Sequence, residues 1–340
     1  MSGAEDRLLG WLQRRLGPGH RLGDDVAFLD EGGGIAVTLD HQIEGVHFLP
    51  HVPPDVVARR LAAVNLSDLA ASGAEPWLAF LALAAPAGFP HRRFLAALLG
   101  ELSRFGVELA GGDLASAPRL SSSLTLLGKR RSGGRWVRRD GVRAGHRLWL
   151  GGTVGESLAG RELVRRGAGW ERGRAVLPAP LGLPPALAAA ARRAVRRHLL
   201  PSPQLDLGAW LARRRDGGGL DVSDGLSRDL HRLCRASGVG ARLDSAALLP
   251  ERATGRLLEQ LGIDPLAAAL GGGEDYVLLF SLPSRTVPPA HFGARPVGIA
   301  LARPVVEIAT PRGIEPLPEA GWDHLDAAAR DAEARLNGSG

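Results

Sequence analysis

Short apolar runs alternate with segments of helical periodicity along this chain, and the alternation occurs twice. That pattern points to a mixed α/β architecture. The first round opens with an amphipathic helix pattern, "MSGAEDRLLGWLQRRLG". The segment "DDVAFLDEGGGIAVTLD" follows, and its two apolar runs around Glu31–Gly34 predict a hairpin. "PPDVVARRLAAVNLSDLAASGAEP" reads as a long helix opened by Pro53–Asp55 and closed by Gly73. Proline suits a first helical turn, and glycine suits the position just past the last one. "WLAFLALAAP", "VELAGGDL" and "RLSSSLTLLGKR" read as strands, with the helix "HRRFLAALLGELSRFG" after the first of them.

The second round begins at "RLWLGGTVGES", a strand running into a glycine turn, followed by the helix "SLAGRELVRRG". A Pro/Ala-rich stretch occupies 176–195. "LDVSDGLSRDLHRLCRASG" then reads as a strand end, a tight turn and a helix, and "GGGEDYVLLFSLP" as a glycine turn entering a strand. Both rounds set an acid beside glycines, at "GGD" (111–113) and "GGED" (272–275). With 340 residues the chain is long enough for two domains. They are expected over 1–138 and 139–330, joined near 136–146.

Several function classes are excluded at this level. No apolar run approaches the ~18 residues of a membrane span, and the first segment lacks a signal-peptide core, so a cytoplasmic protein is expected. Cys234 is the only cysteine, which removes internal disulfides and cysteine zinc clusters. The net charge of +6 invites a nucleic-acid reading. However, the basic clusters "GKRRSGGRWVRR" and "ARRAVRRHLL" lack the interleaved stacking aromatics of a single-strand binder. No nucleic-acid partner is expected. Lys129 is the only lysine and no G-x-x-x-x-G-K-[ST] occurs, so the chain is not a P-loop enzyme.

Acids fall repeatedly at turns and strand ends: Asp24 and Asp25, Asp40, Asp68, Asp113, Asp221 and Asp224. Taken singly, each is a helix cap or a turn residue. As a set brought together from separate loops, they form an oxygen-rich site for a hard cation such as Mg²⁺, which keeps phosphates in its shell. Asp229 lies five residues beyond Asp224, faces away from it at 3.6 residues per turn, and is read as structural.

The order of motifs resembles the thiamine-monophosphate kinase family. "GDDVAFLD", "EGVHFLP", "VNLSDLAASGAEP", "LAGGDL", "RRDGVRAG", "GGTVGESLAG", "HLLPSP", "DVSDGLSRDL", "GGGEDYVLLF" and "GWDHL" follow one another from about residue 3 to 325. The wider superfamily includes aminoimidazole ribonucleotide synthetase, selenophosphate synthetase and a hydrogenase-maturation protein; "EGVHF", "GGEDY" and "GWDH" point to the thiamine branch. The resemblance implies a homodimer of two-domain α/β (α+β) chains whose N-terminal strands pair across the dimer. It implies transfer of a phosphoryl group from ATP to thiamine monophosphate. By position, Asp25, Thr38, Asp40, Asp68, Asp113, Asp221 and Asp224 match the ligands of several Mg²⁺ ions. Gly112, Asp113, Arg139 and Ser223 match the ATP contacts, and His47, Glu274 and Trp322 the thiamine phosphate contacts.

These roles suit the chemistry. Joining two polyanions needs charge neutralisation and in-line alignment, and an ionised phosphate acceptor needs no general base. The fork of donors on Arg139 fits a phosphate oxygen, and the face of Trp322 fits a cationic ring. The chain departs from the family pattern at Leu39, at Leu114, Ala115 and Ser116, at Asp140 and His146, and at Gln204. Two other readings stay open: a related ATP-dependent enzyme with another small acceptor, and a non-catalytic nucleotide-binding dimer.

Overall fold

The computed structural model describes residues 3–18, 20–30, 33–323 and 325. It opens with helix α1 (Ala4–Leu16), strands β1 (Ala27–Leu29) and β2 (Ile35–Ile43), and helix α2 (Pro54–Ser72). Strand β3 (Glu75–Ala85), helix α3 (His91–Arg104) and strands β4 (Glu108–Ser116) and β5 (Ser121–Lys129) complete a first sheet of order β1-β2-β5-β3-β4. Strands β1 and β2 pair antiparallel as expected, although Glu31 and Gly32 of the connecting turn lie outside the described residues. Within this sheet, among the described residues, only β3 and β4 pair parallel, linked over α3.

Residues 130–146 lead to the second half, which opens with β6 (Arg147–Leu150), α4 (Glu156–Arg165), the small hairpin β7 (Gly169–Glu171) and β8 (Arg174–Val176), and α5 (Ala188–Leu199). Next come α6 (Leu205–Ala212), β9 (Gly219–Asp221), α7 (Leu226–Ser237), β10 (Gly240–Asp244) and the helices α8 (Ser245–Leu248), α9 (Arg252–Gln260) and α10 (Pro265–Gly271). The chain then adds β11 (Leu278–Leu282), β12 (Arg295–Leu301), β13 (Val306–Thr310) and β14 (Gly313–Pro316). The second sheet has the order β14-β13-β10-β12-β6-β11-β9. Among the described residues no helix is long and apolar enough to cross a membrane.

Helix α2 positions the site. Pro54 sits in its first turn and Gly73 closes it in the left-handed conformation (φ 73°). Nearly every residue between them is buried, on all sides, as for a helix enclosed in a core. One side of α2 packs on the first sheet through Leu61, Leu66 and Leu69. Its end, at Ala70 and Ala71, meets Leu207 and Leu211 of α6 and Phe280 of β11. The helix therefore lies between the two sheets, and its polar residues must find partners in both. Helix α1 packs against the second half, where Asp6 pairs with Arg232 (3.4 Å) and Arg235 (3.4 Å) of α7.

Candidate active site

Three of the expected aspartates meet. Asp25 precedes β1, Asp68 lies on α2 and Asp221 ends β9, and one carboxylate oxygen from each lies within 4.8 Å of the other two. Their neighbours are fixed by hydrogen bonds. Thr38 Oγ1 donates to Asp68 (2.5 Å) and Ser67 Oγ to Asp221 (2.6 Å). The Asp40 N–H donates to Asn65 Oδ1 (3.0 Å), whose own amide is anchored on the Leu61 carbonyl. Asn65 and Asp68, three apart on α2, project from the same side.

Burial and crowding both disfavour negative charge here. Burial, then Asp224 and Asp25, push Asp40 up to about 6. Asp68 is raised well above the usual carboxylate range by burial and by Asp40, Asp221 and Asp25. Asp221 is raised by burial and by Asp25. Burial also raises Asp25, although its pairing with Arg139 (2.5 Å) pulls the other way. The second Asp25 oxygen is buried with no hydrogen-bond partner. A ring of hard oxygen donors with excess negative charge and an orphaned carboxylate oxygen fits a divalent cation.

The turn after β9 departs from the sequence reading. Asp229 faces back toward the turn: its Oδ2 accepts the backbone N–H groups of Ser223 (3.1 Å), Asp224 (3.0 Å) and Gly225 (3.2 Å). The first helical residue is Leu226, and Gly225 takes an extended, positive-φ conformation (φ 122°, ψ 138°). Asp224 therefore lies outside the helix, and helical counting from it does not apply. Asp229 remains structural, as the clasp that shapes the turn. Arg232 ion-pairs with Asp224 and, at 3.3 Å, with Asp229.

A cavity of about 160 Å³ unites much of the expected set. Asp40, Asp68, Asp221, Ser223 and Asp224 line it together with His47, Glu274 and Trp322. His47 Nδ1 accepts the Ile43 N–H (3.0 Å), which fixes the ring against the end of β2. The Trp322 backbone is pinned to the acidic turn, its N–H donating to the Asp224 carbonyl (2.8 Å). Glu274 pairs with Arg60 and stands 3.4 Å from His198 Nδ1. Burial would raise Glu274, but nearby cations, Arg60 foremost, outweigh it and hold the carboxyl down to about 2. The following acid, Asp275, turns away and caps α4, accepting from the backbone of Gly155 (2.7 Å) and Ser157 (3.2 Å).

Other expected residues do not line this cavity. Arg139 lines an adjoining cavity of about 230 Å³ with Asp24 and Arg138. Gly112 and Asp113 sit on the exposed edge strand β4, with Asp113 level with Ala82, Ser123 and His41 across the sheet. Strand β4 is three strands from β2, roughly 14 Å at ordinary strand spacing, so within one chain Asp113 stands clear of the other aspartates.

The departures from the family pattern mostly avoid the cavity. Leu39 is 60% exposed on the sheet face away from α2. Asp140 pairs with Arg138 at 3.4 Å. His146 is buried against Ser281 Oγ (3.2 Å), and Gln204 bridges the Gly151 carbonyl (2.6 Å) and the Leu278 N–H (2.8 Å). Residues 114–116 are exposed on β4. Sequence reasoning missed Arg60, Asn65, Ser67 and Arg232. Helical spacing from Asp68 was a usable signal for Asn65, whereas the others depend on long-range contacts.

Comparison with known proteins agrees with this geometry. Residues 23–129 match the family model described as AIR synthase related protein, N-terminal domain. The thiamine-monophosphate kinase of Escherichia coli K12 is 36% identical, with 77% of this chain and 76% of that protein covered. The thiamine-monophosphate kinase of Mycobacterium tuberculosis H37Rv is 34% identical over 90% of this chain and 85% of its own length. Among solved structures, AaThiL complexed with AMPPCP and TMP superposes with a TM-score of 0.82 at 27% identity, covering 96% of this chain and 99% of that one. A hydrogenase-maturation protein, HypE, bound to ATP shares the fold at 17% identity, with a TM-score of 0.64 over 95% of this chain and 96% of its own. With two sheets joined by a buried helix, an acidic cleft and relatives of this closeness, the chain belongs to the thiamine-monophosphate kinase family.

Proposed function

We propose that the protein transfers the γ-phosphoryl group of ATP to thiamine monophosphate, giving ADP and thiamine diphosphate. The observation that carries this is the shared cavity, lined by four aspartates and by His47, Glu274 and Trp322. The acceptor's phosphate would lie toward the aspartates, and its cationic thiazolium and aminopyrimidine toward Glu274 and the Trp322 ring. A cation over an indole face gains roughly 0.5–2 kcal/mol.

Asp25, Thr38, Asp40, Asp68, Asp221 and Asp224 would hold Mg²⁺, which when bound supplies charge neutralisation between the two polyanions. Arg139 and Ser223 would meet the nucleotide. The acceptor phosphate is its own nucleophile, so the side chains orient the reactants and need not remove a proton.

The functional unit in this reading is a homodimer of two-domain chains, with residues 1–138 and 139–330 as the domains. Support comes from the open face and edge of the first sheet, where Leu39, Phe80 and Leu114 are 60%, 41% and 61% exposed. Exposed apolar surface beside an unpaired strand edge favours burial against a second copy. Gly112 and Asp113 lie on that edge, and their share in nucleotide and metal binding rests on this pairing.

The test is ADP release with ATP and Mg²⁺, with and without thiamine monophosphate, and chromatography for thiamine diphosphate. Acceptor-dependent ADP matched by diphosphate is the expected result. ADP release that ignores the acceptor, or no release at all, would overturn the proposal.

A further inference from the structure

We infer that Arg60, enclosed in α2 behind the cavity wall, is a positioning residue for acceptor recognition: it seats Glu274 so that the carboxylate faces the organic end of the acceptor. The inference rests on the kinase reading above. Arg60 is 1% exposed and does not line the cavity, whereas the three groups it touches belong to residues that do. Its Nε donates to Gln42 Oε1 (3.2 Å), and its terminal nitrogens donate to the His198 carbonyl and to Glu274 Oε1. The guanidinium carbon also stands 5.8 Å from the centroid of the Tyr276 ring.

These partners come from β2, the end of α5 and the loop before β11, which are otherwise separate walls. One planar fork thus sets the distances among three segments, a task that suits arginine and not lysine. A buried guanidinium is a poor choice for stability alone, because apolar packing does as well without desolvating a charge.

The loop it clasps is strained. Glu274 and Tyr276 are both non-glycine residues at positive φ (56° and 48°). Such conformations persist only where surrounding contacts impose them, and they concentrate at binding sites. The other Glu274 oxygen, Oε2, stands 3.4 Å from His198 Nδ1. Burial holds that imidazole neutral, its pKa lowered to about 3, so Arg60 is the cation that directly balances the carboxylate. With Oε1 anchored on Arg60, Glu274 keeps its charge and one lobe beside the cavity. That is the complement of a cationic ring and an amino donor, and it discriminates against an acceptor that carries an anion at that end.

The test compares Arg60→Lys, Arg60→Met and Glu274→Gln, and the Arg60→Met/Glu274→Gln double variant, with the wild-type protein. KM is measured for each substrate, and ATP affinity is taken from a direct titration. Losing a hydrogen bond to a charged group in a closed pocket is expected to raise KM for thiamine monophosphate about tenfold or more in Arg60→Met. Arg60→Lys should fall between it and the wild type. ATP affinity should change by less than about twofold in both. The double variant should be no worse than the worse single variant, because both substitutions act through one carboxylate.

An unchanged acceptor KM in both Arg60 variants, or losses that multiply in the double variant, would overturn the inference while leaving the kinase reading intact. A parallel loss of ATP affinity would likewise overturn it, because that marks general damage to the fold. If Arg60→Met does not fold, the Arg60→Lys/Glu274→Gln cycle decides by the same criterion. Absence of acceptor-dependent turnover in the wild-type protein would instead remove the kinase reading and this inference with it.

Discussion

Asp68→Asn should make the metal-free protein more stable while abolishing its activity. The substitution keeps an oxygen able to accept from Thr38 and removes one charge from the carboxylate triad. Two routes bound the gain at pH 8. If the native state keeps Asp68 protonated, it forgoes about 1.4 kcal/mol for every pH unit above the ordinary value of 3.8. If it ionises Asp68, the group meets Asp25 and Asp221, each repelling it by about 3.5 kcal/mol at 4.8 Å and an effective dielectric of 20. Relaxation and penetrating water reduce either figure, and a net gain of about 3 kcal/mol corresponds to a rise in Tm of about 4 °C in a chain of 340 residues.

The sign with pH follows from the direction of the shifts. Asp68 and Asp221 are raised well above 3.8, and Asp40 to about 6. The native state therefore retains protons that the unfolded chain has released, and stability is lost as pH rises from about 4 through those raised values. The gain from Asp68→Asn should be present in full at pH 8 and fall to about 1 kcal/mol or less at pH 4.5. Mg²⁺ should raise the Tm of the wild-type protein at pH 8 and that of the variant much less. Differential scanning calorimetry at both pH values, with and without Mg²⁺, is the assay. A variant less stable than the wild type at pH 8 without metal, or a gain that is undiminished at pH 4.5, would refute the electrostatic reasoning.

Two more outcomes follow from the geometry. Asp229→Ala leaves three backbone N–H groups of the 223–225 turn without their acceptor, so thermal melting should show a loss of about 2–3 kcal/mol; a loss below about 0.5 kcal/mol would show that the turn holds itself. Phe80→Glu places a charge on the open face of the first sheet, and light scattering is expected to report a dimer for the wild type and a monomer for the variant. An unchanged mass would refute that use of the face.

Much of the fold was legible because its elements carry local punctuation. Pro54 and Gly73 bracket α2, and the hairpin β1–β2 shows in two apolar runs around glycines. The aspartates of the site could be named because turns favour them and motif order identifies them. Their partners were hidden for a physical reason. Ser67 reads as an ordinary helical serine until Asp221, 154 positions away, arrives as its acceptor. Arg60 reads as a solvated arginine until its burial is known. Asp229 was misread because helical counting began inside a turn, and Gly225 alone signals that break. The second half beyond α7 was less visible, since the short helices α8–α10 and the strands β12–β14 carry weak periodicity.

The enclosure of α2 also dictates an order of events during synthesis. Its residues leave the ribosome long before their counterparts: Ser67 waits for Asp221, and Arg60 for Glu274, 214 positions later. Until then the first sheet exposes a helix whose Ser67 lacks Asp221 and whose Arg60 has only Gln42 of its three hydrogen-bond partners, and neither can be enclosed without a penalty. The N-terminal half is thereby kept from closing prematurely around α2, and the phosphate-handling cleft comes into being as one of the last acts of folding, when nearly the whole chain has been made.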